Sequence, residues 1–185
     1  MGQILIEKNV ANIEGLCVIT PKVYGDNRGY FYESYNKNDL VKNGINIDFV
    51  QDNQSMSTKG VLRGLHFQIN YPQTKLVRVI KGSVFDVAVD IRDNSKTFGK
   101  WHGEFLSDAN KKQFLIPKGF AHGFLVLSDV AEFCYKCDDF YHPDDEGGIA
   151  WNDPEINISW PEIDVELILS DKDKKWPGLS ALHRA

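Results

Sequence analysis

The sequence predicts an all-β protein, an antiparallel jelly-roll barrel with a few short helices at its surface. Short runs rich in β-branched and aromatic residues recur along the chain, and Gly, Asn, Asp or Pro separates them. Aromatic residues make up 12% of the 185 residues, which favours strands. Hydrophobic residues reach 42%, enough to fill a sizeable core, and we therefore expect a single domain over residues 1–185.

The first part of the chain is predicted to hold two strands, a turn and a helix. A β-rich run occupies residues 16–24, and the turn-forming segment GDNRG follows it. Residues 30–35 alternate between two faces and predict the second strand. A short helix is predicted over residues 36–44, because Asn36 is a good N-cap residue and Gly44 a good stop signal.

Eight further strands are predicted from the middle of the chain. The run SVFDVAVDIR shows the alternation most clearly, because Phe85, Val87 and Val89 fall on one face and Asp86 and Asp90 on the other. The segment after residue 150 contains three prolines and is predicted to wrap the barrel with short helices. The eight strands are predicted at about 48–56, 60–68, 74–81, 83–92, 101–107, 112–117, 123–128 and 131–139.

Charge and composition argue against several classes of partner. The net charge is −5 and the basic residues form no run, so we expect no nucleic-acid binding. The first ten residues, MGQILIEKNV, lack the pattern of a signal peptide, and no apolar run approaches the ~18 residues of a membrane span. Only three cysteines are present, which disfavours a secreted disulfide framework. These features predict a cytoplasmic protein without membrane contact.

Charged side chains are concentrated in the segments RGLHFQ and QTKLVR. His66 and Lys75 lie on strands of mainly apolar residues, where a charged group is costly unless it is paired or used. Lys75 shares a face with Val77 and Val79, so its ammonium would project from an apolar wall. Two interpretations stay open at this point: a functional site, or side chains at the barrel rim in contact with water.

Three other residues also allow two interpretations each. His122 lies in a Gly-rich segment after a Pro, where its ring is either functional or hydrogen-bonded to backbone in a turn. Tyr135 shares the inward face of its strand with Phe133 and is either a core residue or a proton donor. Asp173 follows Ser170 with the spacing S-x-x-D, which indicates either a helix cap or a catalytic partner.

A metal site is not expected from the five histidines. None of them forms an H-x-H pair, and position 68, where the second ligand of such a pair would stand, is Gln. No G-x-G-x-x-G fingerprint of a dinucleotide site is present. The sequence therefore predicts a protein without a metal or another cofactor.

A series of longer motifs follows in a fixed order: RGLHFQ, QTKLVRVIKGSVFDVAVDIR, SKTFGKW, IPKGFAHGFLVLS, YKCDDFY and WNDPEINISWP. With these motifs the chain closely resembles the dTDP-4-dehydrorhamnose 3,5-epimerase family, from about Pro21 to Pro177. The resemblance implies a cupin-type jelly roll and an isomerase that acts without metal. It also implies a homodimer in which N-terminal residues reach the partner's site.

The resemblance implies roles for individual residues. His66 would remove a proton next to a C4 ketone, and Asp173 would pair with His66 and orient it. Lys75 would stabilise the enolate oxygen, and Tyr135 would return a proton from the opposite face. Phe140 or Tyr141 would stack on the nucleotide base. The positions that match the family's substrate contacts are Arg28, Glu33, Gln51, Asp52, Asn53, Arg63, His122, Glu146 and Lys172.

The implied reaction inverts C3 and C5 of dTDP-4-dehydro-6-deoxyglucose and gives dTDP-4-dehydro-L-rhamnose, a step of dTDP-rhamnose biosynthesis. Three alternatives stay open. In the first, the protein is an epimerase of one centre, C3 or C5, or an epimerase of a GDP- or CDP-linked 4-keto sugar. In the second, it is a metal-dependent cupin enzyme. In the third, it is a barrel that binds sugar nucleotides without catalysis.

Overall fold

The computed structural model describes residues 3–184 and has the predicted antiparallel jelly-roll architecture. A short α-helix, α1, covers Lys37–Lys42, and 3₁₀ helices lie at Val10–Asn12, Pro143–Asp145 and Leu179–Arg184. The strands in chain order are β1 (Ile4–Lys8), β2 (Cys17–Pro21), β3 (Tyr24–Asp26), β4 (Gly29–Phe31), β5 (Gln51–Thr58), β6 (Leu62–Gln68), β7 (Lys75–Lys81), β8 (Ser83–Asp90), β9 (Trp101–Ser107), β10 (Gln113–Ile116), β11 (Phe120–Val126), β12 (Val130–Cys137) and β13 (Glu146–Gly148).

Two antiparallel sheets form the barrel. The first has the order β1-β2-β10-β7-β12-β5 and the second the order β13-β6-β11-β8-β9. Within them, the eight strands β5 to β12 have the jelly-roll order, with β5-β12-β7-β10 in one sheet and β6-β11-β8-β9 in the other. Strands β3 and β4 form a separate hairpin.

The second sheet is covered on both faces. Its inner face packs Val84 and Phe124 against Val77 and Phe133 of the first sheet. On its outer face, Phe85, Val87 and Val89 pack with Ile149, Ile156, Leu179 and the partly buried Trp160, most of which come from the segment after β13. The apolar face of β8 is thus covered from outside the barrel, and its polar face points into the barrel. The side chains of Asp86 and Asp90 on that face are fully buried.

Helix α1 forms where the sequence predicts it. The side-chain oxygen of Asn36 accepts hydrogen bonds from the backbone N–H groups of Asn38 and Asp39, at 3.0 and 3.4 Å. Gly44 follows the helix with a φ of +76°, a conformation that glycine adopts at little cost.

The structure differs from the predicted elements in three places. Strand β4 ends at Phe31, because Tyr35 turns away from the hairpin and packs edge-on against Phe49, with 5.7 Å between ring centroids. Strands β1 and β13 lie at sheet edges and were not predicted. The last segment, 151–178, forms turns and irregular chain instead of short helices, since its prolines interrupt helical hydrogen bonding.

The structure also bears on membrane contact and on disulfide bonds. No helix within residues 3–184 is long and apolar enough to cross a membrane. Cys17, Cys134 and Cys137 are all buried and all free.

Candidate active site

A cavity of about 170 Å³ opens between the two sheets at the polar part of the barrel interior. Drug-sized ligands fill roughly 300–1,000 Å³, so this cavity accommodates a small group such as one sugar ring. The remainder of a larger ligand has to lie across its open mouth. The cavity is lined by Gln51, Asn53, His66, Phe67, Gln68, Gln73, Lys75, Tyr135, Tyr141 and Glu146.

His66 and Asp173 form a close pair at one side of the cavity. Asp173 Oδ1 lies 2.5 Å from His66 Nε2, and the carboxylate is 3% exposed. Burial raises the pKa of Asp173, but the contact with His66 and the hydrogen bonds from Ser170 and Trp176 together outweigh it and hold this pKa below the ordinary value. Because the carboxylate accepts from Nε2–H, Nδ1 is left as the basic nitrogen. The carboxylate nearest to Nδ1 is that of Glu146, at 3.8 Å.

Asp173 reaches this position from a turn. The backbone N–H of Asp173 donates to Ser170 Oγ over 3.1 Å, so the predicted capping contact is present. The helix that this contact would cap is absent, because residues 171–175 form a turn. Both interpretations of the S-x-x-D spacing therefore hold in part: Ser170 orders the backbone of Asp173, and the carboxylate of Asp173 meets His66.

Lys75 is the first residue of β7 and lines the cavity. Within residues 3–184, no carboxylate or other polar group forms an ion pair or hydrogen bond with its ammonium. Burial lowers the pKa of Lys75, and the charges of Asp86 and Glu146 oppose this effect only in part. The side chain is half-buried in this open cavity, so it presents an unpaired ammonium to any ligand there and, as in the rim interpretation, remains accessible to water.

Tyr135 lies on the inward face of β12 beside Phe133, with 6.0 Å between ring centroids. Its hydroxyl reaches the cavity and has no hydrogen-bond partner in the described part of the chain. Burial raises the pKa of Tyr135, which keeps the phenol protonated. The residue is both a neighbour of the core and a free proton donor in the cavity.

His122 pairs with a carboxylate behind this group. Its Nε2 lies 2.9 Å from Asp86 Oδ2, and both side chains are buried. Burial raises the pKa of Asp86, while His122 and Lys75 oppose the rise. The interpretation of His122 as a turn residue bonded to backbone is wrong, because it lies within β11 and its ring contacts Asp86. His122 lines a small adjoining cavity together with Lys75.

Several predicted substrate contacts lie at the cavity or its mouth. Gln51 and Asn53 project into it from β5, and Glu146 from β13. Lys172 contacts Glu146 at 2.6 Å across the mouth. Arg63 on β6 is not a lining residue: it donates to Ser57 Oγ at 3.0 Å, and only its charge acts on Tyr135 in the cavity.

Three predicted contact residues lie away from this cavity. Asp52 alternates with Gln51 and Asn53 to the outer face of β5, where it contacts Lys136 at 2.6 Å. Arg28 is 85% exposed in the β3–β4 hairpin and pairs with Asp26. Glu33 accepts a hydrogen bond from Asn36, and its Oε2 is buried without a hydrogen-bond partner. Within one chain these residues do not meet the His66 cluster.

Sequence reasoning did not identify Phe67, Gln68 and Gln73 as lining residues. Gln68 holds the cavity wall, since its amide donates to the carbonyl of Tyr71 at 2.7 Å and accepts from the N–H of His142 at 2.7 Å. The alternation along β6 already places Gln68 on the same face as His66. This alternation was the sequence signal that could have identified Gln68 as a lining residue.

Among the described residues, no group of three or more His, Cys, Asp or Glu side chains is arranged to hold a metal ion. The chemistry that this cavity offers is that of a base, a cation and an acid around one small group.

Comparison with known proteins assigns the chain to a family. The sequence model of that family, described as dTDP-4-dehydrorhamnose 3,5-epimerase, matches residues 10–181. The chain belongs to the dTDP-4-dehydrorhamnose 3,5-epimerase family. The resemblance drawn from the motifs is thereby confirmed.

Relatives of the chain cover almost all of it. It is 56% identical over 174 residues to the dTDP-4-dehydrorhamnose 3,5-epimerase of Escherichia coli. The alignment covers 93% of this chain and 94% of the relative. A crystal structure from Legionella pneumophila, a dTDP-6-deoxy-D-glucose-3,5-epimerase in complex with dTDP-4-keto-L-rhamnose, is 52% identical and superimposes with a TM-score of 0.92. That comparison covers 96% of this chain and 94% of the other.

A second similar structure is that of an epimerase of a single centre. It is a 3′-monoepimerase from Streptomyces bikiniensis in complex with dTDP-quinovose, 31% identical to this chain with a TM-score of 0.85. The comparison covers 92% of this chain and 87% of that one. The same fold therefore occurs in epimerases of one centre and of two.

Proposed function

We propose that the protein inverts C3 and C5 of dTDP-4-dehydro-6-deoxyglucose and releases dTDP-4-dehydro-L-rhamnose. The observation that carries this proposal is the convergence of His66 Nδ1, the Lys75 ammonium and the Tyr135 hydroxyl on one cavity, with His66 paired to Asp173. Family membership and the dTDP-sugar bound by the Legionella relative support the substrate class.

The reaction needs three groups around a carbon next to a ketone. His66 takes the proton from that carbon, and the electron pair moves into the enolate, which places negative charge on the C4 oxygen. Lys75 stabilises this oxygen through its charge. Tyr135 then gives a proton to the carbon from the opposite face and inverts the centre. Solvent at the open mouth restores Tyr135 and removes the proton from His66, so the reaction is balanced without a redox cofactor.

The nucleotide lies outside the small cavity in this proposal. Tyr141 is 49% exposed and Phe140 is 59% exposed at the mouth, where aromatic faces are available for a base. The Lys172 ammonium lies beside them, held by Glu146.

We also propose that the protein acts as a homodimer. The hairpin β3–β4 exposes 61% of Tyr30 and 56% of Phe31, and the exposed Tyr24 pairs directly with Phe31, so the three aromatic residues form one exposed patch that a partner can cover. Arg28 and Glu33 belong to this region and lie away from the chain's own cavity. Contact with the cavity of a second copy accounts for their match to the family's substrate positions.

An epimerase of a single centre is the second candidate, because the Streptomyces 3′-monoepimerase shares the fold. Nuclear magnetic resonance of the sugar in heavy water separates the two. Deuterium at both C3 and C5 supports the double epimerase, and deuterium at one carbon alone selects the second candidate. No exchange at either carbon refutes both. The same assay with GDP- and CDP-linked 4-keto sugars tests the nucleotide.

A further inference from the structure

Trp176 contacts both members of the His66–Asp173 pair, and the proposed mechanism gives it no role. Its indole Nε1–H donates to Asp173 Oδ1 over 3.3 Å, the same oxygen that lies 2.5 Å from His66 Nε2. Its ring meets the imidazole edge-on, with 6.2 Å between centroids and 68° between the planes. One side chain therefore contacts the carboxylate with its N–H and the imidazole with its ring.

The backbone leaves room for this indole at Gly148. Gly148 in β13 is paired directly with His66 in β6. A Cβ at position 148 would lie 2.3 Å from atoms of the Trp176 ring, far closer than a Cβ approaches other atoms. Any side chain at Gly148 would displace the indole, so the glycine and the tryptophan form one packed unit beside His66.

Asp173 depends on such contacts more than His66 does. His66 is fixed by the ladders of β6, which pairs with both β11 and β13. Asp173 lies in a turn of the last segment, outside the sheets. Ser170 Oγ accepts from its backbone N–H, and the side chains of Ser170 and Trp176 both hydrogen-bond to its carboxylate. These bonds restrain the rotation of the carboxylate.

We propose that Trp176 is a positioning residue, which holds the carboxylate of Asp173 in line with His66 and thereby keeps Nδ1 of His66 turned into the cavity. This inference rests on the proposed function. It assigns Trp176 no contact with substrate, so loss of its N–H affects turnover and leaves substrate binding almost unchanged.

Other titratable groups also face the pair. They are Glu146 from β13, Lys172 from the last segment, Lys75 from β7 and Tyr135 from β12. Substitution of Trp176 leaves all four in place. A change in pH dependence that follows from this substitution is therefore assigned to the carboxylate and its partner His66.

The test compares Trp176→Phe with Trp160→Phe. Each variant keeps an aromatic ring and loses one indole hydrogen bond, since Trp160 Nε1 donates to the carbonyl of Trp151 over 2.9 Å, away from the cavity. For Trp176→Phe we expect kcat to fall about tenfold, the size of one hydrogen bond to a charged group, with KM within about twofold. Trp160→Phe keeps both constants.

The pH profile gives a second readout that a structural role would not change. Without the indole donor, the carboxylate of Asp173 turns away from His66 and stabilises a protonated His66 less, so the acidic limb of kcat moves to lower pH. An NMR titration of the His66 Cε1 proton, assigned with His66→Asn, moves in the same direction without substrate. Trp160→Phe moves neither.

Each outcome decides the inference. Wild-type kcat and an unchanged acidic limb in Trp176→Phe overturn it, and so does an equal loss in Trp160→Phe. If the wild-type protein exchanges no deuterium, the proposed function fails separately. The NMR titration then decides alone, and an unchanged midpoint in Trp176→Phe overturns the positioning role.

Discussion

At the scale of single residues, the cavity holds two polar groups, the Lys75 ammonium and the Tyr135 hydroxyl, that have no partner among residues 3–184, while neighbouring polar groups are paired. Asp173 contacts His66, Asp86 contacts His122 and Lys172 contacts Glu146. An unpaired polar group inside a protein costs free energy. That cost at Lys75 and Tyr135 is offset when a ligand supplies the missing partner.

Replacement of His66 by Asn removes the proposed base and keeps a side chain of similar shape. We expect kcat to fall by about 10²- to 10⁴-fold, the usual effect of losing a positioned acid or base, while affinity for dTDP stays within about twofold. Steady-state kinetics and calorimetry with dTDP measure the two effects.

His102→Asn is the matched control, because His102 also contacts a carboxylate, Glu104 at 3.3 Å, but lies outside the cavity. Normal turnover by His66→Asn contradicts the assignment of the base.

Lys75→Met removes the charge and keeps the length of the side chain. We expect kcat to fall about 10²- to 10³-fold, because the enolate oxygen loses its cation.

The pH profile of Lys75→Met changes as well. Burial lowers the pKa of Lys75 below 10.5, so wild-type turnover declines as rising pH removes the ammonium proton, at lower pH than for an exposed lysine. Lys75→Met lacks this limb.

Deprotonation of Tyr135 does not account for this decline in turnover, because burial raises the pKa of Tyr135 and moves its deprotonation to higher pH. Lys81→Met, at the exposed end of the same strand, is the control and keeps the wild-type profile. Equal kcat in the two variants contradicts the role of Lys75.

The residues of this site were predictable to different degrees. His66, Lys75 and Tyr135 lie on strands whose alternation places them with apolar, inward residues. Asp173 was ambiguous, because its partner is 107 residues away in the sequence and no local pattern encodes that contact. Asp86 stood on the polar face of β8, and only the packing of the last segment on the opposite face shows that this polar face points inward.

At the scale of elements, the eight strands β5 to β12 were predictable, and the edge strands β1 and β13 were not. The predicted strand at 101–107 coincides with β9, and 74–81 differs from β7 by one residue. Strand β13 has only three residues, Glu-Gly-Gly, which carry no strand propensity; pairing with β6 alone makes it a strand. Strand β13 thus depends on a neighbour that is about 80 residues away in the sequence, and local patterns therefore miss it.

The loop after β8 provides a prediction about stability. Asp90 is fully buried and accepts hydrogen bonds from Arg92, Ser95 and Thr97. Burial raises the pKa of Asp90, but these bonds outweigh it and bring the pKa from 3.8 to about 2. This shift corresponds to about 2 kcal/mol of stability, present above pH 4 and lost as pH falls through about 2.

Asp90→Asn is therefore expected to lower the free energy of unfolding by at least about 2 kcal/mol at pH 7, and its deficit relative to wild type shrinks as pH falls from 4 towards 2. Urea denaturation across this pH range measures the difference. Asp93→Asn, an exposed neighbour in the same loop, keeps the wild-type dependence. A deficit for Asp90→Asn that is constant with pH contradicts the linkage.

At the scale of the whole molecule, the proposed dimer makes Arg28 a residue of the neighbouring site. We expect the wild-type protein to sediment as a dimer. Arg28→Ala keeps this state, because the side chain is charged and 85% exposed, and raises KM about 10-fold or more through loss of a charge-assisted contact.

Lys22→Ala is the control, since Lys22 lies nearby and contacts Gln3 at 2.9 Å on the chain's own surface. A monomer with full activity contradicts the proposed dimer. Dimeric Arg28→Ala with unchanged KM leaves the assembly in place and removes Arg28 from the site.

The last segment covers the outside of the second sheet and also carries Asp173 to His66. Translation proceeds from the N-terminus, so a nascent chain contains the imidazole of His66, the ammonium of Lys75 and the phenol of Tyr135 well before the carboxylate of Asp173 that contacts His66. A ribosome-bound or C-terminally truncated barrel can thus offer a pocket for sugar nucleotide but lacks the complete proton relay. Under the proposed function, turnover therefore depends on the docking of the segment that carries Asp173.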